Sequence, residues 1–243
     1  MKNYFIPHKL KPGDVTNLSD EDSELIIGNK LHTLEDPIEV SNLEGVFLAI
    51  ITNIETASVE VEIVKKLRDV KEIDNNYHIT LIQSTMHDQK FDFLLEKAVE
   101  VGIHKIIPIE SKYSTQSRNK AIKRHGMWNK KIKEAQEQSR NPNILDLEKP
   151  IKIKDLKNIK SKNKICLSTE VITEKSFKDI LHKKEPHTTY TIAVGPEKGW
   201  SSSDLKVFEK LDFEFSKMGN NILRTETAGI VAASILNFRA GLY

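Results

Sequence analysis

The sequence predicts an α/β protein in two parts, a small β-rich N-terminal domain and a larger domain of strands alternating with helices. Three observations carry this reading. Apolar residues recur with period two between residues 45 and 64. From residue 77 onward short apolar strands alternate with helical periodicity. Two glycine-bearing loops near the C-terminus each follow a strand-like run and open a helix-like run.

In the N-terminal part, Val46, Leu48 and Ile50, then Val59, Val61 and Ile63, alternate as the inward faces of two strands, with turn-like residues at Thr52-Asn53 and Glu55-Thr56 between them. With Glu39-Val40 they form a domain expected to span 1–70, followed by a linker-like segment, Lys71-Glu72-Ile73-Asp74-Asn75-Asn76, and a second domain over 75–243. Residues 77–84 read as a strand. Phe91, Leu94, Leu95, Ala98 and Val99 then recur at helical spacing, with Gly102 as the stop. Residues 103–109 read as a strand. Trp128, Ile132, Ala135 and Ser139 mark one face of a helix bounded by Asn141-Pro142. Strands at 164–168 and 190–194 flank a helical segment at 176–182. Ser201 and Asp204 form a capping signature for a helix at 201–210 whose Leu205 and Phe208 face inward. Phe213, Phe215 and Lys217 alternate as an edge strand. Thr225 is placed to cap a last helix with an apolar stripe of Ala228, Val231, Ile235 and Phe238. Such alternation implies a largely parallel sheet, with ligands beyond the carboxyl ends of its strands.

Composition narrows the function. With 243 residues, 38% of them hydrophobic, the chain can bury a substantial core. Cys166 is the only cysteine, so neither a disulfide framework nor a cysteine-based zinc site can form within one copy. The histidines are scattered without metal-ligand spacing, and no metal is expected. Neither a signal peptide nor a membrane-spanning stretch is evident, and the cytoplasm is the expected location. The net charge of +2 hides an asymmetry: residues 1–70 carry −6 and residues 111–164 carry +11. Two readings of the basic block stand, a surface for a polyanion and a solvated lysine-rich face.

The candidate chemistry lies in two loops. Gly195-Pro196-Glu197-Lys198-Gly199 directly follows a strand, with glycines that permit close backbone approach and a proline that stiffens the turn; it is either a ligand cradle or a plain strand-to-helix turn. Its spacing fits neither a phosphate-binding Walker loop nor a dinucleotide fingerprint. The second loop, 218–224, ends in Arg224 at the start of a helix, where the helix dipole disfavours a cation. Arg224 therefore either holds a phosphate or developing anion or is neutralised by Glu226 or Glu197. Thr225 and Glu226 also suit a first helical turn on structural grounds alone. No serine-centred nucleophile elbow is present.

At these residues the chain resembles the RsmE family of SPOUT-class methyltransferases, which methylate N3 of a uridine in 16S ribosomal RNA. The strand, GPE-x-G loop, helix, strand and the run Ile222-Leu223-Arg224-Thr225-Glu226-Thr227-Ala228 are similar to that family, as are residues 90–102 (KFDFLLEKAVEVG) and Glu134-Ala135 with Gln138-Ser139-Arg140. The resemblance is clear over 77–243. It implies a PUA-like N-terminal β-barrel, a SPOUT α/β domain with a deep trefoil knot, and a homodimer. It also implies S-adenosylmethionine held by Ser168, Thr169, Glu170, Gly195, Glu197, Gly199, Met218, Gly219, Ile222 and Leu223, with Arg224 as the catalytic residue. Two departures stand out. Lys198 replaces the second glycine of the family's GPEGG, and Glu24-Leu25-Ile26-Ile27-Gly28-Asn29-Lys30-Leu31 stands where a His- and Arg-rich strand is usual. RNA contact is accordingly expected at Arg118, Lys120, Lys123, Arg124, Lys130, Lys131 and Arg140, with 16S ribosomal RNA or the small subunit as partner. A non-catalytic RNA-binding assembly factor with the same fold is the alternative. A small-molecule nucleotide enzyme leaves the basic block without a purpose.

Overall fold

The computed structural model describes residues 3–42, 44–69, 77–139, 144–169 and 175–243. The chain divides into two compact units, Met1–Ile73 with Gln136–Asn143, and Asp74–Ala135 with Ile144–Tyr243. The expected linker at 71–76 and the Asn141-Pro142 boundary lie outside the described residues.

The first unit is a five-stranded sheet in the order β1-β3-β4-β5-β2, formed by β1 (Asn3–Phe5), β2 (Val15–Asn17), β3 (Pro37–Ser41), β4 (Gly45–Ile54) and β5 (Val59–Asp69). All its pairings are antiparallel except β1 with β3. Its core gathers Tyr4, Ile26, Phe47, Ala49, Ile51, Val59, Val61 and Ile63. The inward phase of β5 is the one expected. In β4 Val46 is buried as expected, but beyond it the phase reverses: Phe47, Ala49 and Ile51 are buried while Leu48 and Ile50 are half-buried. The register of the β4–β5 pair shifts between Val46 and Phe47 and again between Leu48 and Ala49, and each such irregularity re-aims the side chains that follow. Thr52 and Asn53 continue β4, and the turn falls at 55–58. The segment Asp20–Asn29 is a helix, α1, in which the Ser19 side chain accepts from the Asp22 amide. Most of the stretch that departs from the family's strand motif is therefore helical.

The second unit is built on a parallel sheet in the order β12-β10-β11-β6-β7-β8, with β9 paired to β7. Its strands are β6 (His78–Ser84), β7 (Lys105–Glu110), β8 (Asp146–Leu147), β9 (Ile151–Lys152), β10 (Asn163–Leu167), β11 (Thr189–Val194) and β12 (Glu214–Ser216). The central strands β6 and β11 are nearly continuous buried runs, as expected of parallel strands covered on both faces. Connections between successive strands carry α2 (Asp88–Glu100), α3 (Arg118–Ser139), α4 (Phe177–His182) and α5 (Ser202–Lys210), and α6 (Thr225–Arg239) follows the last strand. The five apolar positions expected in α2 are all buried, and Gly102 takes φ +75° just beyond its end. Phe91 of α2 stacks on Trp128 of α3 with ring centroids 4.2 Å apart, beside buried Ile132 and Ala135. Helix α5 opens with the Ser201–Asp204 capping box.

The last helix departs from its expected stripe. Ala228 is buried, but Ile235 is 36% and Phe238 70% exposed, and the rest of the buried face is formed instead by Gly229, Ala232, Ala233 and Leu236. A Cβ on Gly229 would lie 2.9 Å from the Leu81 side chain. The helix thus lies so close to β6 that only its small-residue face fits, and its bulkier apolar residues face outward.

Candidate functional site

At the carboxyl ends of β10, β11 and β12 a cavity of about 970 Å³ opens, at the top of the usual range for small-molecule sites. Ser168, Thr169, Gly195, Glu197, Gly199, Met218, Gly219, Ile222, Leu223 and Arg224 all line it. Glu170 lies outside the described residues.

The two glycine loops meet through specific bonds. After β11, the Gly199 amide donates to the Pro196 carbonyl at 2.8 Å and Gly199 takes φ +73°, which closes a tight turn. The chain then places the Trp200 ring over Gly195, where a Cβ would meet ring atoms at 3.0–3.2 Å; the glycine is required by this stacking. The buried Trp200 indole donates to the Leu167 carbonyl at 3.0 Å, fastening the loop to the end of β10. From the other side, the Thr225 hydroxyl donates to the Gly195 carbonyl at 2.5 Å and accepts from the Gln83 amide at 3.1 Å. Thr225 is therefore not the cap of α6, contrary to the sequence expectation. Arg224 occupies the cap position without a side-chain cap bond, and Thr225, the first helical residue, spends its hydroxyl on the neighbouring loop.

Charge around the cavity is unevenly neutralised. Lys90, in the first turn of α2, hydrogen-bonds the Glu197 carboxylate and lies 4.0 Å from Glu226 Oε2. The Lys90 bond, with smaller help from nearby charges, holds Glu197 below the ordinary carboxylate range. Glu226 is only 7% exposed. Both carboxylates pair with Lys90, and among the described residues neither forms a salt bridge or hydrogen bond with the exposed Arg224 side chain, whose charge acts on Glu197 only from a distance. Lys198 is also exposed and lines the cavity without a side-chain partner among the described residues. Lys90 was not among the expected site residues. Its signal was a cation near a helix N-terminus, as unfavourable there as Arg224 is at α6.

The basic residues of α3 do not line the cavity. Lys120, Lys123 and Lys130 are exposed, and Lys131 is half-buried. Two members of the expected set are occupied within the fold: Arg118 donates to the Pro150 carbonyl at 3.1 Å, and Arg124 lies 3.6 Å from Asp88 and 3.5 Å from Asp92. Arg140 lies outside the described residues. The buried Cys166 thiol, beside Trp200, is pushed well up by burial. Among the described residues no cluster of His, Cys, Asp and Glu could hold a metal ion, and no helix is long and apolar enough to cross a membrane.

A family model for the RNA methyltransferase domain matches residues 74–237. The ribosomal RNA small subunit methyltransferase E of Aquifex aeolicus is 32% identical over 162 residues, covering 65% of this chain and 67% of the relative. The protein of that name from Buchnera aphidicola subsp. Schizaphis graminum is 26% identical over 98% of this chain and 96% of its own. Among solved structures, ribosomal RNA small subunit methyltransferase E from Neisseria gonorrhoeae, bound to S-adenosyl methionine, superposes with a TM-score of 0.79 at 27% identity, covering 98% of this chain and 97% of that one.

Proposed function

Because this chain belongs to the RNA methyltransferase family, we propose that it uses S-adenosylmethionine to methylate N3 of a uridine in 16S ribosomal RNA. The observation that carries the reading is the joining of two glycine loops, through Trp200 and Thr225, around one cavity that presents an unpaired Arg224.

The residues present fit the cofactor. Leu167, Val194, Leu223 and Ala228 supply an apolar wall for an adenine ring, and Gly219 has nothing within 4 Å of an added Cβ, which leaves room beside its main chain. Ser168, Thr169, Gly195, Glu197, Gly199, Met218, Gly219, Ile222 and Leu223 are the residues assigned to hold it, with Glu170 carried by resemblance alone. When bound, the cofactor supplies a methyl group on a sulfonium. Arg224 stabilises the negative charge that builds on uracil N3 and its flanking carbonyl oxygens as the N3 proton passes to water or a nearby carboxylate. The guanidinium stays protonated throughout and is not the base. Glu197, kept ionised by Lys90, is in place to face a positive centre. Holding both reactants in one cavity supplies much of the remaining acceleration.

The same reading includes the trefoil knot, the PUA-like character of the first unit, a cytoplasmic homodimer, and the domain limits 1–70 and 75–243. The outward Ile235 and Phe238 of α6 support an apolar contact between copies. RNA is assigned to the exposed Lys120, Lys123 and Lys130, with Lys131 beside them. Two measurements test the reading together. Calorimetry should detect micromolar binding of S-adenosylmethionine, and ribosomal RNA from a deletion strain should lack one N3-methyluridine that the intact gene restores. Absence of binding at millimolar cofactor would favour a non-catalytic assembly factor.

A further inference from the structure

The charges that line the cavity are poorly matched to the cofactor alone. Lys90, Glu197 and Glu226 form a cluster with one excess negative charge, whereas Lys198, Lys217 and Arg224 have no side-chain ion pair among the described residues. Among the described residues the balance is two positive charges. S-adenosylmethionine carries a sulfonium, an ammonium and one carboxylate, so it adds another. Glu197 can face one of its cationic centres and its carboxylate one of the three free cations, which leaves two cations of the lining and one of the cofactor without an anion.

Position suggests what relieves it. Lys198 follows β11 and Lys217 follows β12, and these strands flank β10 on either side. Both lysines line the same cavity, and neighbouring strands are spaced about 4.8 Å apart, so the ends of β11 and β12 from which these two loops start lie about 10 Å apart, on either side of the end of β10. That is a span a single phosphate can share between two ammonium groups on flexible stems. Resting on the methyltransferase reading above, we infer that Lys198 and Lys217 form an anion subsite that takes a phosphodiester of the RNA substrate, and that RNA occupancy there tightens cofactor binding. The coupling is reciprocal by linkage, so the cofactor tightens RNA by the same factor. Lys198 is then a gain at the position where the family carries glycine, and it places an RNA contact beside the reaction.

The test is calorimetry on the full chain at fixed ionic strength, with S-adenosylmethionine and with S-adenosylhomocysteine, each alone and with an eight-nucleotide oligocytidylate, whose bases have no N3 proton to lose. The oligonucleotide should tighten S-adenosylmethionine about five- to tenfold and the homocysteine product, which lacks the sulfonium charge, by about half that factor or less. Lys198→Gln and Lys217→Gln should each cut the effect to about twofold, and Lys198→Glu should abolish it. Unchanged cofactor affinity with the oligonucleotide, or full coupling retained in the double glutamine variant, overturns the subsite while leaving the cofactor reading intact. Inorganic phosphate at the same ionic strength reproducing the whole effect overturns the assignment to RNA. No cofactor binding under any condition overturns the methyltransferase reading instead.

Discussion

At the amino end of the parallel sheet, the Tyr77 hydroxyl donates to Asn237 Oδ1 at 2.7 Å, the Asn237 amide donates to the Val101 carbonyl, and His104 Nδ1 accepts the Ile79 amide at 3.2 Å. At the carboxyl end, Arg224, Lys198 and Lys217 line a cavity without side-chain partners among the described residues. Both ends are polar, yet one pairs its groups internally and the other leaves cations open. Buried groups that must hold a fold together are satisfied within it, whereas groups meant for a ligand keep their capacity unspent. Substitutions at the amino end should therefore cost stability, and those at the carboxyl end should cost function.

Arg224→Ala gives the largest expected effect, a loss of methyl transfer of about a hundred- to a thousandfold. Cofactor affinity by calorimetry should stay within a few-fold and the melting temperature unchanged; normal activity would remove its assigned role and break the comparison. Next comes His104, whose pKa burial, aided by the adjacent His78, lowers to about 4. Since the folded-state value is depressed, the unfolded chain takes up its proton first as pH falls below about 6.5, and stability declines from there to about pH 4. The loss reaches about 3 kcal/mol and should be absent from denaturation curves of His104→Gln. Asn237→Leu leaves the Tyr77 hydroxyl and the Val101 carbonyl without this partner and should cost about 2–3 kcal/mol in urea denaturation, with cofactor affinity unaltered. The smallest change sharpens the contrast on α3. Replacing Lys123 and Lys130 with Glu should lower the slope of log affinity for RNA against log salt by about two, with folding and cofactor binding intact. An unchanged slope would make these lysines mere surface.

The strands and helices of the second unit were legible because their periods are clean. Phe91, Leu94, Leu95, Ala98 and Val99 are the buried face of α2, and Ser201 with Asp204 forms the expected capping box. Where packing overrode period, the reading failed. The phase of β4 was lost to register shifts, and the stripe of α6 was misread because its approach to Leu81 requires Gly229 and alanines in place of the larger residues. At the site, the glycine loops were visible as motifs, but what joins them was not. Thr225, Trp200 and Gln83 act through partners 30, 33 and 142 residues away in sequence, which no local pattern reports. Arg118 and Arg124 looked like free cations for the same reason, since their carbonyl and carboxylate partners are set by the tertiary fold. The knot entered by family resemblance alone.

The solitary thiol has a practical use. Cys166 is fully buried and strongly biased toward its protonated form, and thiolates are the species that react with maleimides and similar reagents. The native chain is in effect already free of reactive cysteine. A single cysteine placed on the 218–224 loop or along α3 can carry a fluorophore or spin label without background from the parent thiol, so loop movement and RNA arrival can be followed in the otherwise unaltered protein.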